Sequence, residues 1–266
     1  MFDFLKYDFI QKAFLAGIMV AIIIPLIGTV VVNRRTSTLG DALSHTTLAG
    51  LFFAIMIGIN PILGGILISV ASAFLIEFLR YKFPKNGDMA TAIVMSLGVG
   101  VSSILSDFVT GAQNFESFLF GSIISVTRED LIIIAIITII TLIAYYFLYY
   151  GLLFVSVDKI SARLSGVNNL IVEYTFTLLL AIVIAISARI VGVLIVSSLM
   201  ILPVASAMYM SKSYKNTVIV SVIFGIVYFI VGLSFAALLN LKPGGSIIIS
   251  SVIGLLLVLL IYPSEK

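Results

Sequence analysis

The chain has a single histidine, His45, and an aspartate four residues before it, in the run Gly40-Asp41-Ala42-Leu43-Ser44-His45. Residues four apart on a helix project from one face, so this spacing offers a carboxylate oxygen and an imidazole nitrogen to one ion. Neutral imidazole and carboxylate suit zinc, manganese and iron. Thiolate ligation is excluded, because the chain has no cysteine. Two ligands do not complete a coordination shell. Ser44, Thr46 and Thr47 are accessory candidates, and water or the same residues of a second copy are the other sources of donors. The alternative is an Asp–His hydrogen bond that only locks two helices together.

Ionisable groups inside an apolar span are costly and default to functional candidates. Counted from Arg35, Asp41 lies roughly 9 Å and His45 roughly 15 Å along a helix axis, near the middle of a hydrocarbon layer about 30 Å thick. Glu77 and Glu173 come next, but both fall near span ends, and Glu77 stands three residues before Arg80, a local ion-pair spacing. A structural role fits them better. Asp107 and Glu116, at the other side, are candidates for an outer vestibule that attracts cations, or are simply solvated. Pro203 removes a backbone hydrogen bond from its helix, for a gate or for packing. No Gly-x-x-x-x-Gly-Lys-Ser/Thr phosphate loop is present, so any ATP is hydrolysed by another chain. No charge-rich proton relay is spread over the helices either.

The elements that position these residues follow from composition. Hydrophobic residues make up 61% of the 266, charged residues 10%, and the mean hydropathy is +1.27. A soluble domain carries about 25% charged residues, so this chain cannot cover a water-facing surface and takes lipid as its solvent. The fold class is all-α, a polytopic transmembrane bundle forming one domain over residues 1–266. Windows of about 19 residues place spans near 13–33, 39–58, 61–81, 88–108, 131–153, 170–188, 190–210, 217–239 and 246–262, about nine, or eight. Asn60-Pro61, Ser187 to Arg189 and Lys242-Pro243-Gly244-Gly245 are read as hairpin turns. The stretch 110–125 is short and broken by Gly111, Gln113, Asn114, Glu116 and Gly121, which fits a re-entrant or interfacial segment better than a crossing.

Arg34, Arg35, Arg80, Lys82, Lys85, Lys159, Arg163, Lys212, Lys215 and Lys266 fall on one side of this alternation. Lys6, Lys12, Arg128, Arg189 and Lys242 fall on the other. Basic loops stay in the cytoplasm, which puts the amino terminus outside and the carboxyl terminus inside. A full crossing by 110–125 would reverse that parity for everything after it. Small residues one turn apart, such as Ala13, Gly17 and Ala21, permit close helix packing. The net charge of +3 is spread over loops with no dense basic patch, so nucleic acid is not an expected partner.

The chain resembles the permeases of bacterial ABC importers for zinc, manganese and iron. The resemblance is carried by Asn33-Arg34-Arg35 leading into Leu39-Gly40-Asp41-Ala42-Leu43-Ser44-His45 and by Phe115-Glu116-Ser117-Phe118-Leu119-Phe120-Gly121-Ser122-Ile123. It continues through the block from Val191-Gly192 to Leu202-Pro203 and through Pro243-Gly244-Gly245-Ser246-Ile247. It implies a permease like those of type II ABC importers, in the bacterial plasma membrane. Asp41 and His45 would line a metal path that two copies of the chain enclose. It also implies two cytoplasmic ATPase subunits that use the ATP, and an extracellular metal-binding receptor. The manganese, zinc or iron ion is then cargo, and no cofactor is bound permanently.

By the same resemblance, residues 157–168 hold a short cytoplasmic helix that docks on the ATPase, with Asp158, Lys159, Ala162, Arg163 and Gly166 as its marked positions. Relatives usually have a Pro-Glu pair after that aspartate, where this chain has Lys159 and Ile160. Two other readings of the whole chain stay open: a secondary transporter or channel for divalent cations, and an ABC permease for a metal chelate or vitamin.

Overall fold

The computed structural model describes residues 8–83, 86–109, 118, 119, 121, 126–239 and 241–262, apart from the side chains of Phe9 and Lys159. These residues form α1 (Asp8–Asn33), α2 (Thr38–Met56), α3 (Pro61–Lys82), α4 (Gly87–Ser106) and α5 (Arg128–Val157). There follow α6 (Lys159–Leu164), α7 (Asn169–Val191), α8 (Val193–Met210), α9 (Tyr214–Leu239) and α10 (Pro243–Ile261). Every one but α6 is long and apolar enough to cross a membrane, which makes nine candidate spans among the described residues. The all-helical reading and its span count hold.

Local chemistry sets where the helices begin. Asn60 caps α3 by accepting a hydrogen bond from the Ile62 amide at 2.9 Å, and Pro61 occupies the first helical position. Thr127 and Asp130 form a reciprocal capping box that starts α5 at Arg128, earlier than hydropathy suggests. Pro243 likewise starts α10 ahead of the expected 246. The junction expected at Ser187 to Arg189 lies farther on. α7 runs through Val191 and breaks at Gly192, where φ is +105°, a conformation that side chains rarely adopt.

The helices alternate in direction. Asn33, Arg35, Arg80, Gly87, Asp158 and Glu173 line one cavity, and Asn33, Val157, Lys212 and Tyr214 line another beside it. The α1–α2, α3–α4, α5–α7 and α8–α9 connections therefore share one end of the bundle, the basic end. α5 spans 30 residues, or about 45 Å, and reaches that end with its carboxyl terminus. Its start thus lies at the opposite end, where α4 finishes, and the parity read from the sequence is preserved through α5. The expected re-entrant stretch 110–125 lies mostly outside the described residues, with Phe118, Leu119 and Gly121 within them.

α1 and α2 form the centre: 72% of their apolar windows is buried, against 22% for α5. α5 turns Ile132, Ile136, Ile139, Ile143 and Phe147 outward to lipid. In α1, Pro25 cannot donate to the Ala21 carbonyl one turn back. Gly225 of α9 packs on that spot, so that a Cβ added to it would lie 2.6 Å from the Ala21 oxygen. The sequence thus brings two backbones together where a hydrogen bond is missing.

Candidate metal-ion site

α2 is wrapped on most sides. A Cβ on Gly40 would lie 2.1 Å from Met200 Cε of α8, one on Gly50 would lie 2.5 Å from the Gly64 carbonyl of α3, and one on Gly98 of α4 would lie 2.8 Å from the Thr46 amide. From Leu39 to Phe52 every residue is buried except Asp41 and His45. Over that stretch their side chains share the single open stripe, one turn apart. Asp41 lies in the first turn of α2, where the helix amino terminus favours a carboxylate, and His45 lies one turn further in.

The accessory candidates do not join that stripe. Ser44, Thr46 and Thr47 are fully buried. The Thr46 and Thr47 hydroxyls donate back to the Leu43 carbonyl at 3.1 and 2.7 Å, within their own helix. Ser44 Oγ has no partner among the described residues. No group of three His, Cys, Asp or Glu gathers anywhere among the described residues. Among the described residues this stripe therefore holds two groups of these types, Asp41 and His45, and no third.

The two ends of the stripe differ. Leu48 and Phe52 continue its face by helical spacing. The Phe52 ring meets Phe118 edge-on at 5.3 Å between centroids, and the Arg189 guanidinium lies 5.9 Å from the Phe118 centroid. Gly121, with φ of +79°, packs so closely on the α7–α8 junction that a Cβ there would come within 1.9 Å of the Val191 oxygen. These contacts pack the end of α2 that lies away from the basic loops. Sequence reading did not single out Phe52, because an apolar residue in a span carries no signal of its own.

At the basic end lies a cavity of about 1420 Å³ whose lining begins at Leu39, two residues short of Asp41. Glu77 and Glu173 line it together with Arg34, Arg80 and Asp88. Glu77 Oε1 stands 3.6 Å from Arg80 and accepts from Thr177 Oγ1 at 3.5 Å. The Arg34 guanidinium stacks over Phe176 at 5.0 Å. Burial works against its charge, while Glu173 and Glu77 support it. Glu77 thus makes the local ion pair that its spacing suggested, and Glu173 stands near the Arg34 charge. Asp107 caps the far end of α4 and is exposed; Glu116 lies outside the described residues.

Within the candidate docking stretch 157–168 the structure has the short helix α6. Asp158 caps α6, its carboxylate accepting from the Ile160 and Ser161 amides at 3.0 and 3.2 Å and from Ser161 Oγ. The Ser161 hydroxyl and those amides hold its carboxyl below the usual carboxylate range. Gly166, at φ of +83°, ends the turn. Ala162 is fully buried and anchors α6, whereas Ile160 and Leu164, one turn apart, are 73% and 84% exposed. Arg163 is exposed, and the Lys159 side chain lies outside the described residues. The outward apolar pair was not among the positions marked in the sequence.

The chain matches a known family along almost its whole length: the ABC 3 transport family covers residues 6–262. The chain belongs to that family. This ABC 3 family protein is 35% identical over 255 residues, 96% of each chain, to a probable metal transport system membrane protein of Treponema pallidum. It is 31% identical over 264 residues to the manganese transport system membrane protein MntC of Listeria monocytogenes, covering 98% of this chain and 93% of that one. It is 28% identical over 247 residues to the high-affinity zinc uptake system membrane protein ZnuB of Buchnera aphidicola, covering 92% and 94%. Among solved structures, PsaBC from Streptococcus pneumoniae in complex with Fab superimposes with a TM-score of 0.89 at 25% identity, covering 98% of this chain and 95% of that one.

Proposed function

We propose that this chain is the membrane permease subunit of an ATP-driven importer that carries divalent manganese or zinc into the bacterial cytoplasm; iron is the third ion its donor set suits. The observation that carries the reading is the stripe on α2, where Asp41 and His45 alone break the burial from Leu39 to Phe52. Relatives named for manganese and for zinc transport support the class of cargo. A carboxylate and an imidazole bind either ion, and neither selects one over the other.

Two copies face each other across their stripes, so that four side chains surround the ion. Each copy supplies only two donors, so neither holds the ion alone, and parting of the two stripes releases it, which suits passage better than storage. The basic end faces the cytoplasm, with the amino terminus outside. An extracellular receptor delivers the ion at the end where Phe52 and Phe118 pack, and where Asp107 and Glu116 add negative potential. Two ATPase subunits dock on α6 through Ile160 and Leu164, with Asp158, Lys159, Arg163 and Gly166 shaping the turn that presents them. Closure of the ATPases moves α6, and with it the wall of the cavity below Leu39, which Asp158 and Ile160 line. The ion then leaves Asp41 toward the cytoplasm.

Proteoliposomes test this. Vesicles holding the chain with its ATPase and receptor accumulate manganese or zinc only with ATP, and vesicles holding the chain alone do not. Metal moving down its gradient through the chain alone would make it a channel or secondary transporter and end the proposal.

A further inference from the structure

Outside the metal path, two small cavities lie where the α8–α9 turn and the start of α9 meet residues 142–157 of α5. One, of about 290 Å³, has a mixed lining, with Asn33, Ser156, Ser211, Lys212, Ser213 and Thr217 beside Leu153, Val157 and Met208. The other, of about 280 Å³, is apolar, walled by Leu26, Leu142, Val218 and Ile219, with Tyr149 and Lys215 at its edge. They meet at Tyr214 and Lys215, consecutive residues that line one cavity each. The wall between them is stiff. Tyr214 and Tyr145 hydroxyls lie 3.1 Å apart, and Tyr145 reaches Thr29 Oγ1 at 3.3 Å, which ties α9, α5 and α1 together.

Charge in this cleft has one sign. No Asp or Glu lines either cavity, while Lys212 and Lys215 are both exposed and form no ion pair among the described residues. The cleft also meets the amino terminus of the 26-residue α9, whose free amides favour an anion. Ser213 caps that terminus by accepting from the Asn216 amide at 3.3 Å. Ser211 Oγ is buried and has no partner among the described residues. The large cavity at the same end is different, since Glu77, Asp88, Asp158 and Glu173 line it.

We infer that this cleft is a site for one anionic phospholipid. Its phosphate diester lies in the serine-lined cavity against Lys212 and the serine hydroxyls, with Lys215 facing it from the edge of the adjoining cavity, and an acyl chain fills that apolar cavity alongside Ile219 and Leu142. The apolar half opens to the hydrocarbon, with Ile219 50% and Leu142 43% exposed, so a soluble anion would leave it unfilled. Basic pockets between helices at the membrane face select anionic headgroups by the same pairing. This inference does not rest on the metal path.

The test uses the full chain purified in detergent, with thermal unfolding followed on addition of phosphatidylglycerol or of phosphatidylcholine with the same acyl chains. Phosphatidylglycerol is expected to raise the midpoint by about 5 °C more than phosphatidylcholine. The double variant Lys212→Gln/Lys215→Gln and the cavity-filling Ser211→Leu lose that difference, whereas Lys82→Gln, another basic residue at the same end, keeps it. Equal shifts with the two lipids, a preference that survives in Lys212→Gln/Lys215→Gln, or the full shift with soluble glycerol phosphate would each overturn the assignment.

Discussion

Gly98 sits where α4 crosses α2 beside His45, and a single methyl group there perturbs the candidate site without altering the side chain of Asp41 or His45. A Cβ built on Gly98 would stand 2.7 Å from Thr46 Cγ2, 2.8 Å from the Thr46 amide nitrogen and 3.1 Å from the His45 carbonyl carbon. Ordinary contact lies at about 3.5 Å, so two of the three fall short by about 0.7–0.8 Å. One is backbone that no rotamer change can move. The helices must separate by most of that distance, at a cost of about 1–3 kcal/mol typical of overpacking. Because the His45 backbone is one of the surfaces displaced, the imidazole shifts with it. Misplacement of about 1 Å costs up to about a hundredfold where geometry is demanding. Gly98→Ala should therefore lower manganese or zinc uptake at least tenfold in cells matched for membrane expression, and should lower the unfolding midpoint of the purified chain. Gly245→Ala, which meets nothing within 4 Å at the start of α10, is the companion variant and should leave both unchanged. Wild-type uptake by Gly98→Ala, or an equal loss in Gly245→Ala, would refute the claim that close packing on α2 sets the position of His45.

Other outcomes follow from the same geometry. Gly225→Ala would push a methyl group to 2.6 Å from the Ala21 oxygen and should destabilise the chain by about 1–3 kcal/mol, read as a lower unfolding midpoint. Asp158 titrates below its ordinary 3.8, so the cap it gives α6 is fully present above that value and is lost as pH falls through the lower folded one. Hydrogen exchange at Ile160 and Ser161, corrected for intrinsic rates, should thus be constant from pH 7 to 5, and Asp158→Ala should abolish the protection already at pH 7. Ile160→Ser/Leu164→Ser alters only exposed side chains and should change stability by less than about 0.5 kcal/mol, while capture of the ATPase subunit on affinity purification is lost.

Much of this architecture was legible in the residues. Runs of about 20 apolar residues have one solution in lipid, so the spans emerged from hydropathy, and the basic loops ordered them. Their boundaries depended on chemistry that hydropathy averages away. The capping box of Thr127 and Asp130 and the left-handed Gly192 moved helix ends by several residues. Asp41 and His45 were visible because ionisable side chains at helical spacing stand out in an apolar span. That everything around them is buried was not visible, since Thr46 and Thr47 look like ligands until their hydroxyls are seen bonded to the Leu43 carbonyl. α6 shows the converse. An apolar residue in a membrane protein reads as span or core, so Ile160 and Leu164 passed unnoticed although they point outward, and Ala162, which looked presentable, anchors the turn inside. The Phe52–Phe118 contact joins residues 66 positions apart, a pairing that only the fold reveals.

Initial uptake of labelled manganese and zinc by cells carrying Asp41→Ala or His45→Ala, with membrane expression and ATPase assembly matched to wild type, tests the metal path most directly. Loss of uptake in both variants, by tenfold or more and with the complex still assembled, is the expected result. Uptake of both ions at wild-type rates in either variant would contradict it, because a half-open carboxylate and imidazole on α2 would then have no part in carrying the ion.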